Sequence, residues 1–249
     1  MRHGYATLIA TLALSTSLIA HDKQWEACKE TVLEGLPHIQ GWCRPEKATH
    51  MMDLIYKEHP KVCVEVGVFG GSSIYPTAQA LKYLGEEGVV YAIDSWRNSD
   101  SLQGTTPGDA NYQWWKKLNL EEIYNGFISM LDWYSLRNQC QVLRMTSEEA
   151  VTKFADNSID ILHIDGNHHE GLRDAKLWLP KVKPGGHIWF DDANWHETAD
   201  AIAYLNEVCL PGKLVEINGA AWQIFTKKKE EVAVTTLDGL TSHINKGNI

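Results

Sequence analysis

Residues 64 to 73 read Val64-Glu65-Val66-Gly67-Val68-Phe69-Gly70-Gly71-Ser72-Ser73. A short β-branched run that breaks into glycine and then into helix-forming sequence predicts a strand, a tight turn and a helix. Gly67 can take backbone angles that a side chain forbids, and Gly70 and Gly71 let the backbone approach a ligand closely. Ser72 and Ser73 suit a helix cap, with hydroxyls free to meet a ligand carboxylate. A dinucleotide fingerprint would need G-x-G-x-x-G here. Gly67-Val68-Phe69 lacks the second glycine, which counts against a nicotinamide cofactor.

Outward from this turn, strand and helix patterns alternate. Strands are expected at Lys61–Val66, Val89–Ile93, Gln141–Arg144, Ile159–Ile164, His187–Phe190, Leu214–Ile217 and Trp222–Thr226. Helices are expected at Ser72–Leu84, Glu121–Tyr134, Ser147–Phe154, Glu170–Leu179 and His196–Val208. The alternation implies an α/β fold, a Rossmann-like, doubly wound and mostly parallel sheet covered on both faces. Gln24–Leu36 and Pro45–Glu58 carry apolar residues at three- and four-residue spacing, giving an N-terminal helical cap over residues 24–60. The main domain then spans 61–226, with a loosely ordered tail over 227–249. Ser95–Leu120 is long for a connection and holds Trp96, Trp114 and Trp115, which marks a functional insertion or lid.

Composition narrows the function classes. The chain has 249 residues, 44% hydrophobic and 22% charged, as expected of one soluble domain. A net charge of −9 argues against nucleic acid and anionic membrane as partners, and Lys227-Lys228-Lys229 is balanced at once by Glu230-Glu231. Five cysteines show no metal-ligand spacing; the odd number excludes a complete disulfide framework, and a Cys28–Cys43 bridge stays open. Residues 1–20 have a charged start, a short apolar stretch and a small final residue, like a secretory signal peptide, or form an N-terminal helix. The stretch is too short for a stable membrane span.

In sheets of this kind ligands bind beyond the C-terminal strand ends. Asp94 ends the second strand, where a carboxylate can accept hydrogen bonds from both ribose hydroxyls of an adenosine. Asp165 ends the fourth strand, in His163-Ile164-Asp165-Gly166-Asn167-His168, and Asp191-Asp192 ends the fifth. Neighbouring strands lie under about 5 Å apart, so these carboxylates can converge, and they repel unless a cation lies between them. Oxygen ligands with room for water suit Mg²⁺ or Mn²⁺, which would acidify a substrate hydroxyl. His168 could then take the released proton. The bland readings are an Asp-Gly turn at Asp165, a helix cap at Asp191-Asp192, and an ordinary helix start at Ser147-Glu148.

Glu65-x-Gly67 with Gly71, followed by Asp94, resembles the first motifs of the class I S-adenosylmethionine-dependent methyltransferases. Asp165-Gly-Asn-His168, Asp174, Leu179-Pro180 through Gly186 and Asp191-Asp192 resemble the macrocin-type sugar O-methyltransferases, relatives of the catechol O-methyltransferases. Catechol enzymes carry lysine at the place of His168 and usually asparagine at that of Asp192, which favours the macrocin-type group. The resemblance implies divalent-metal-dependent O-methylation of a small-molecule hydroxyl, sugar or phenol-like. It implies Glu65, Gly67, Gly71, Ser73, Asp94, Ser147 and Glu148 at the cofactor, Asp165, Asp191 and Asp192 on Mg²⁺ or Mn²⁺, and His168 as base. Asp174 is expected to support the site, and the N-terminal helices to offer a surface for a homo-oligomer. Competing readings are a nucleotide-dependent oxidoreductase on a similar sheet and an exported binding protein without catalysis. Cytosolic supply of S-adenosylmethionine and the signal-like N-terminus point to different compartments.

Overall fold

The computed structural model describes residues 23–85 and 87–229. The signal-like segment and the tail beyond Lys229 lie outside these residues. Helix α1 covers residues 23–35 and α2 Pro45–Glu58, followed by β1 (Val62–Val66), α3 (Ile74–Leu84) and β2 (Val89–Asp94). Two short helices, α4 (Asn98–Ser101) and α5 (Ala110–Lys117), lie within the expected insertion. Then come α6 (Leu120–Trp133), β3 (Cys140–Arg144), α7 (Ser147–Val151), β4 (Ile159–Ile164), α8 (Gly171–Trp178) and β5 (Val182–Asp191). Helix α9 (Ala199–Val208) leads to the hairpin of β6 (Cys209–Ile217) and β7 (Ala220–Lys227).

The strands form one sheet in the order β3-β2-β1-β4-β5-β7-β6. β1 to β5 run parallel, and β7 is antiparallel to both β5 and β6. Strand order therefore reverses between β1 and β4, where such sheets open a crevice at their C-terminal ends.

Period-two alternation divides each strand between two layers. Val64, Val66, Leu162, Ile164, Ile188 and Phe190 pack with α7, α8 and α9. Cys63 and Ile161 face the opposite layer of α1, α2, α3 and α6. Glu65, His163, Asp165, Trp189 and Asp191 share the parity of that second layer, so α2 lies above them. Met51 of α2 packs with Trp189 and Trp222, and the Trp222 indole donates to His50 Nδ1 at 2.9 Å.

Four expectations change. The fifth strand starts at Val182, because Gly185 at φ 84° lets Pro184-Gly185-Gly186 pass as an irregularity between Ile159 and Ile161 of β4. The sixth starts at Cys209 and tolerates Pro211 at a register shift, being the sheet edge. Lys227 belongs to β7 and donates to the Val182 carbonyl at 2.7 Å, so the ordered chain runs past the expected domain end. All five cysteines are free, so no Cys28–Cys43 bridge forms. Among the described residues no helix is long and apolar enough to cross a membrane.

Candidate active site at the strand tips

A cavity of about 910 Å³ opens over the C-terminal strand ends. Gly67, at φ 88°, passes so close to β4 that a Cβ there would stand 2.2 Å from the Asp165 carbonyl oxygen. Only glycine combines that dihedral with that approach. Asp94 accepts the backbone N–H groups of Val68 and Phe69 on Oδ2, both at 3.0 Å, and that of Trp96 on Oδ1 at 2.7 Å. The carboxylate thus ties the glycine turn to the second strand tip. Burial pushes its pKa up, against the pull of those three donors.

Of the two serine hydroxyls expected to be free for a ligand, that of Ser73 is already committed. Ser73 donates to Glu65 Oε1 at 2.5 Å, and Ser72 accepts the Cys43 N–H at 3.1 Å. The Ser73 proton is thus committed, whereas Ser72, which only accepts, keeps its O–H to donate at the cavity wall, and Ser73 makes no cap bond to α3. Glu65 is fully buried and, with Gly71, lies behind the cavity wall rather than on it.

Ser147 and Glu148 do line the cavity. The Ser147 hydroxyl accepts from the Trp178 indole at 2.8 Å and donates to Asp174 Oδ1 at 2.6 Å, while Glu148 pairs with Arg173 at 2.5 Å. Asp174 is 3% exposed, and burial raises its carboxyl to about 6 although the Ser147 bond pulls it down. Because the folded chain holds this proton more tightly than the unfolded one, native stability falls as pH rises from about 3.8 through about 6. The separation corresponds to about 3 kcal/mol above that window. Asp174→Asn, which keeps an acceptor for Ser147, should therefore raise the melting temperature at alkaline pH. The gain should shrink through the window and vanish below it. A gain independent of pH in thermal melts would contradict this assignment.

At the next two strand tips the expected metal set is rearranged. Asp165 and Asp191 do converge, and with His163 they place ligand atoms within 4.8 Å of one another. Between the two carboxylates, however, stands the ammonium of Lys47 from the first turn of α2. It donates to Asp165 Oδ2 at 3.2 Å and is in contact with Asp191 Oδ2. Burial works against the lysine charge, but Asp165 and the other nearby anions outweigh it and raise its pKa. A divalent ion needs those oxygens at about 2.1 Å, in the gap the ammonium fills. The arrangement does not fit a bound Mg²⁺ or Mn²⁺.

Asp192 also departs from the expected set. At φ 47° the chain turns left-handed after β5, and the Asp192 carboxylate swings to His168 Nε2 at 2.9 Å. The His168 ring also meets Trp195 edge-on, with centroids 4.7 Å apart. Burial lowers the His168 pKa, but the Asp192 bond and charge prevail and raise it.

Two residues of this layer carried no role in the sequence reading. Lys47 lies four residues before Met51 on the buried stripe of α2, the one pattern that could have exposed it. His163, 4% exposed, has Nδ1 3.1 Å from Glu65 Oε2 and Nε2 3.5 Å from Asp191 Oδ2. Neither ring nitrogen is aligned for a hydrogen bond.

A family model described as a methyltransferase domain matches residues 64–193, more than half of the chain. The chain belongs to that family. The matched segment runs from the β1 glycine turn to the residue after Asp192, so it holds almost every strand-tip group above. This methyltransferase domain is 28% identical over 148 residues to Uncharacterized protein y4gI of Sinorhizobium fredii, which is 59% of this chain. The chain spans only 14% of that relative's length.

Solved structures share the fold at low identity. An O-methyltransferase from Bacillus cereus in complex with SAH has a TM-score of 0.56 and 14% identity, covering 81% of this chain and 91% of its own. TomG from Streptomyces achromogenes, an O-methyltransferase of tomaymycin synthesis in complex with SAM, gives 0.57 and 11%, covering 81% and 90%. Cofactor-bound Rv0187 from MTB gives 0.58 and 11%, covering 88% and 96%. The α/β sheet described above is the class I methyltransferase fold.

Proposed function

We propose that this chain transfers a methyl group from S-adenosylmethionine to a hydroxyl group of a small molecule. The observation that carries the reading is one cavity lined at once by Gly67, Asp94, His168 and Asp192. Family membership and the SAM- and SAH-bound structures of the same fold support it. At about 910 Å³ the cavity falls within the range of about 300–1,000 Å³ usual for cofactor-sized sites.

S-adenosylmethionine, when bound, supplies a sulfonium-activated methyl group and leaves as S-adenosylhomocysteine. Gly67 would hold the backbone clear for its methionine end, while Glu65, through Ser73, and Gly71 support that turn from behind. Asp94 Oδ2 is taken by two backbone donors, but Oδ1 keeps a second lone pair after its one bond, enough to accept a ribose hydroxyl. Ser147 and Glu148 would meet the adenine through backbone and stem, since the Ser147 hydroxyl is already engaged.

His168 is the group we assign to proton removal. With its Nε2–H donated to Asp192, Nδ1 keeps a lone pair for the hydroxyl proton as the oxygen forms its bond to the methyl carbon. The Asp192 carboxylate stabilises the imidazolium that results. Trp42 and Trp114, 61% and 41% exposed with centroids 5.5 Å apart, give the mouth a flat apolar wall. Such a wall favours an acceptor carrying a ring, a sugar or a phenol. No step is routed through a divalent metal, because Lys47 fills its place.

Calorimetry with S-adenosylhomocysteine tests the cofactor half, and labelled methyl transfer to sugar and phenol panels tests the acceptor half. A saturable heat at one site per chain, and a labelled product formed over repeated turnovers, are expected. No heat at any concentration would end the proposal.

A further inference from the structure

We propose that Lys47 is the resident cation of the strand-tip carboxylates, so that this chain excludes a divalent ion from the Asp165–Asp191 gap. The inference concerns charge at the site and rests on the methyl-transfer reading only in placing that site beside the cofactor.

Strand parity forces the problem that Lys47 solves. Asp165 follows β4 and Asp191 ends β5, its neighbour, and both carboxylates meet Lys47 of α2. Two like charges whose ligand atoms lie within 4.8 Å of each other repel, the more so when withdrawn from bulk water. Glu65 lies one strand further, opposite His163 in register, and adds a third carboxyl group, itself buried. The positive charge enters from α2, the helix above them.

Lys47 is unfavourably placed for helix formation, which makes its position informative. It follows Pro45 and Glu46 in the first turn of α2, where the positive end of the helix dipole opposes a cation. Its side chain is 6% exposed, so its ammonium is also withdrawn from water. Both costs are met by the same contacts: Asp165 Oδ2 at 3.2 Å and Asp191 Oδ2. A residue that violates local preference and burial together is held there by the site it serves.

The exclusion has a geometric cause. His163 Nε2, 3.8 Å from Asp165 Oδ2 and 3.5 Å from Asp191 Oδ2, completes a two-carboxylate, one-imidazole donor set. That set suits Mn²⁺ in composition. What it lacks is room, and removing the ammonium should create it.

The test is titration of Mn²⁺ into the full chain, followed by its electron paramagnetic resonance signal, with and without saturating S-adenosylhomocysteine. Wild type, Asp191→Asn, Lys47→Met and Lys47→Met/Asp165→Asn are compared, with circular dichroism confirming the fold. Wild type should leave the signal unchanged apart from any loss that persists in Asp191→Asn and so arises elsewhere. Lys47→Met should capture one Mn²⁺ per chain, about tenfold or more tighter than wild type, and the added Asp165→Asn should release it. Capture of one Mn²⁺ by wild type that is lost in Asp191→Asn overturns the inference. A folded Lys47→Met chain that captures none overturns it equally. If Lys47→Met does not fold, the wild-type and Asp191→Asn titrations decide alone. S-adenosylhomocysteine affinity, read calorimetrically on the same samples, reports separately on the methyl-transfer reading.

Discussion

Gly67→Ala is expected to abolish S-adenosylhomocysteine binding and to cost about 2–4 kcal/mol of stability. The added methyl would stand 2.2 Å from the Asp165 carbonyl oxygen and 2.5 Å from the Asp165 carbonyl carbon and Gly166 Cα. All three are backbone atoms at the tip of β4, so no side chain can rotate away. The φ of 88° adds strain of its own. Gly85→Ala separates the two effects. Gly85 is also left-handed, at φ 64°, but its Cβ would meet nothing within 4 Å. That control should lose only about 1 kcal/mol and keep full cofactor affinity. A Gly67→Ala chain that binds cofactor within a few-fold of wild type, and melts with it, would remove the turn from the site.

His168→Ala should lower turnover by about 10²- to 10⁴-fold while leaving S-adenosylhomocysteine affinity unchanged. The separation follows from geometry. His168 bonds Asp192 and packs on Trp195, and none of the β1 turn, Asp94 or Ser147 depends on it. The residue is only partly buried, so its loss should move the melting temperature little. Asp192→Asn should give a smaller loss, since the imidazole stays but loses the carboxylate that orients it. Labelled methyl transfer to the best acceptor from the panels measures both. Undiminished turnover in His168→Ala would leave proton removal to another group.

Much of this was readable in the chain alone, because strand tips announce themselves. Apolar runs ending at Gly67, Asp94, Asp165 and Asp191 identify four strands and the edge at which a ligand collects, and period two assigns the faces. The remainder depends on what sequence distance hides. Lys47 reads as an ordinary surface lysine until α2 is known to lie over β4 and β5, 118 residues from Asp165. Asp192 looks like a third ligand until a positive φ turns it toward His168. Ser147 looks like a ligand hydroxyl until Trp178 and Asp174, some thirty residues on, claim both its bonds. The length of residues 95–120 marks an insertion, but their polar, tryptophan-rich pattern does not reveal α4 and α5.

The seating of α2 has a consequence for how such a chain is made. Its face rests on Trp189 and Trp222, its lysine on Asp165 and Asp191, and its histidine on an indole 172 positions later. On the ribosome, Ala48, Met52 and Ile55 of α2 can pack early in the layer of α1 and α3, but Lys47, His50 and Met51 must wait for β5 and the last hairpin. Contacts this remote in sequence slow folding and expose intermediates to self-association. Nascent chains stalled before β7 should therefore be the species that chaperones hold.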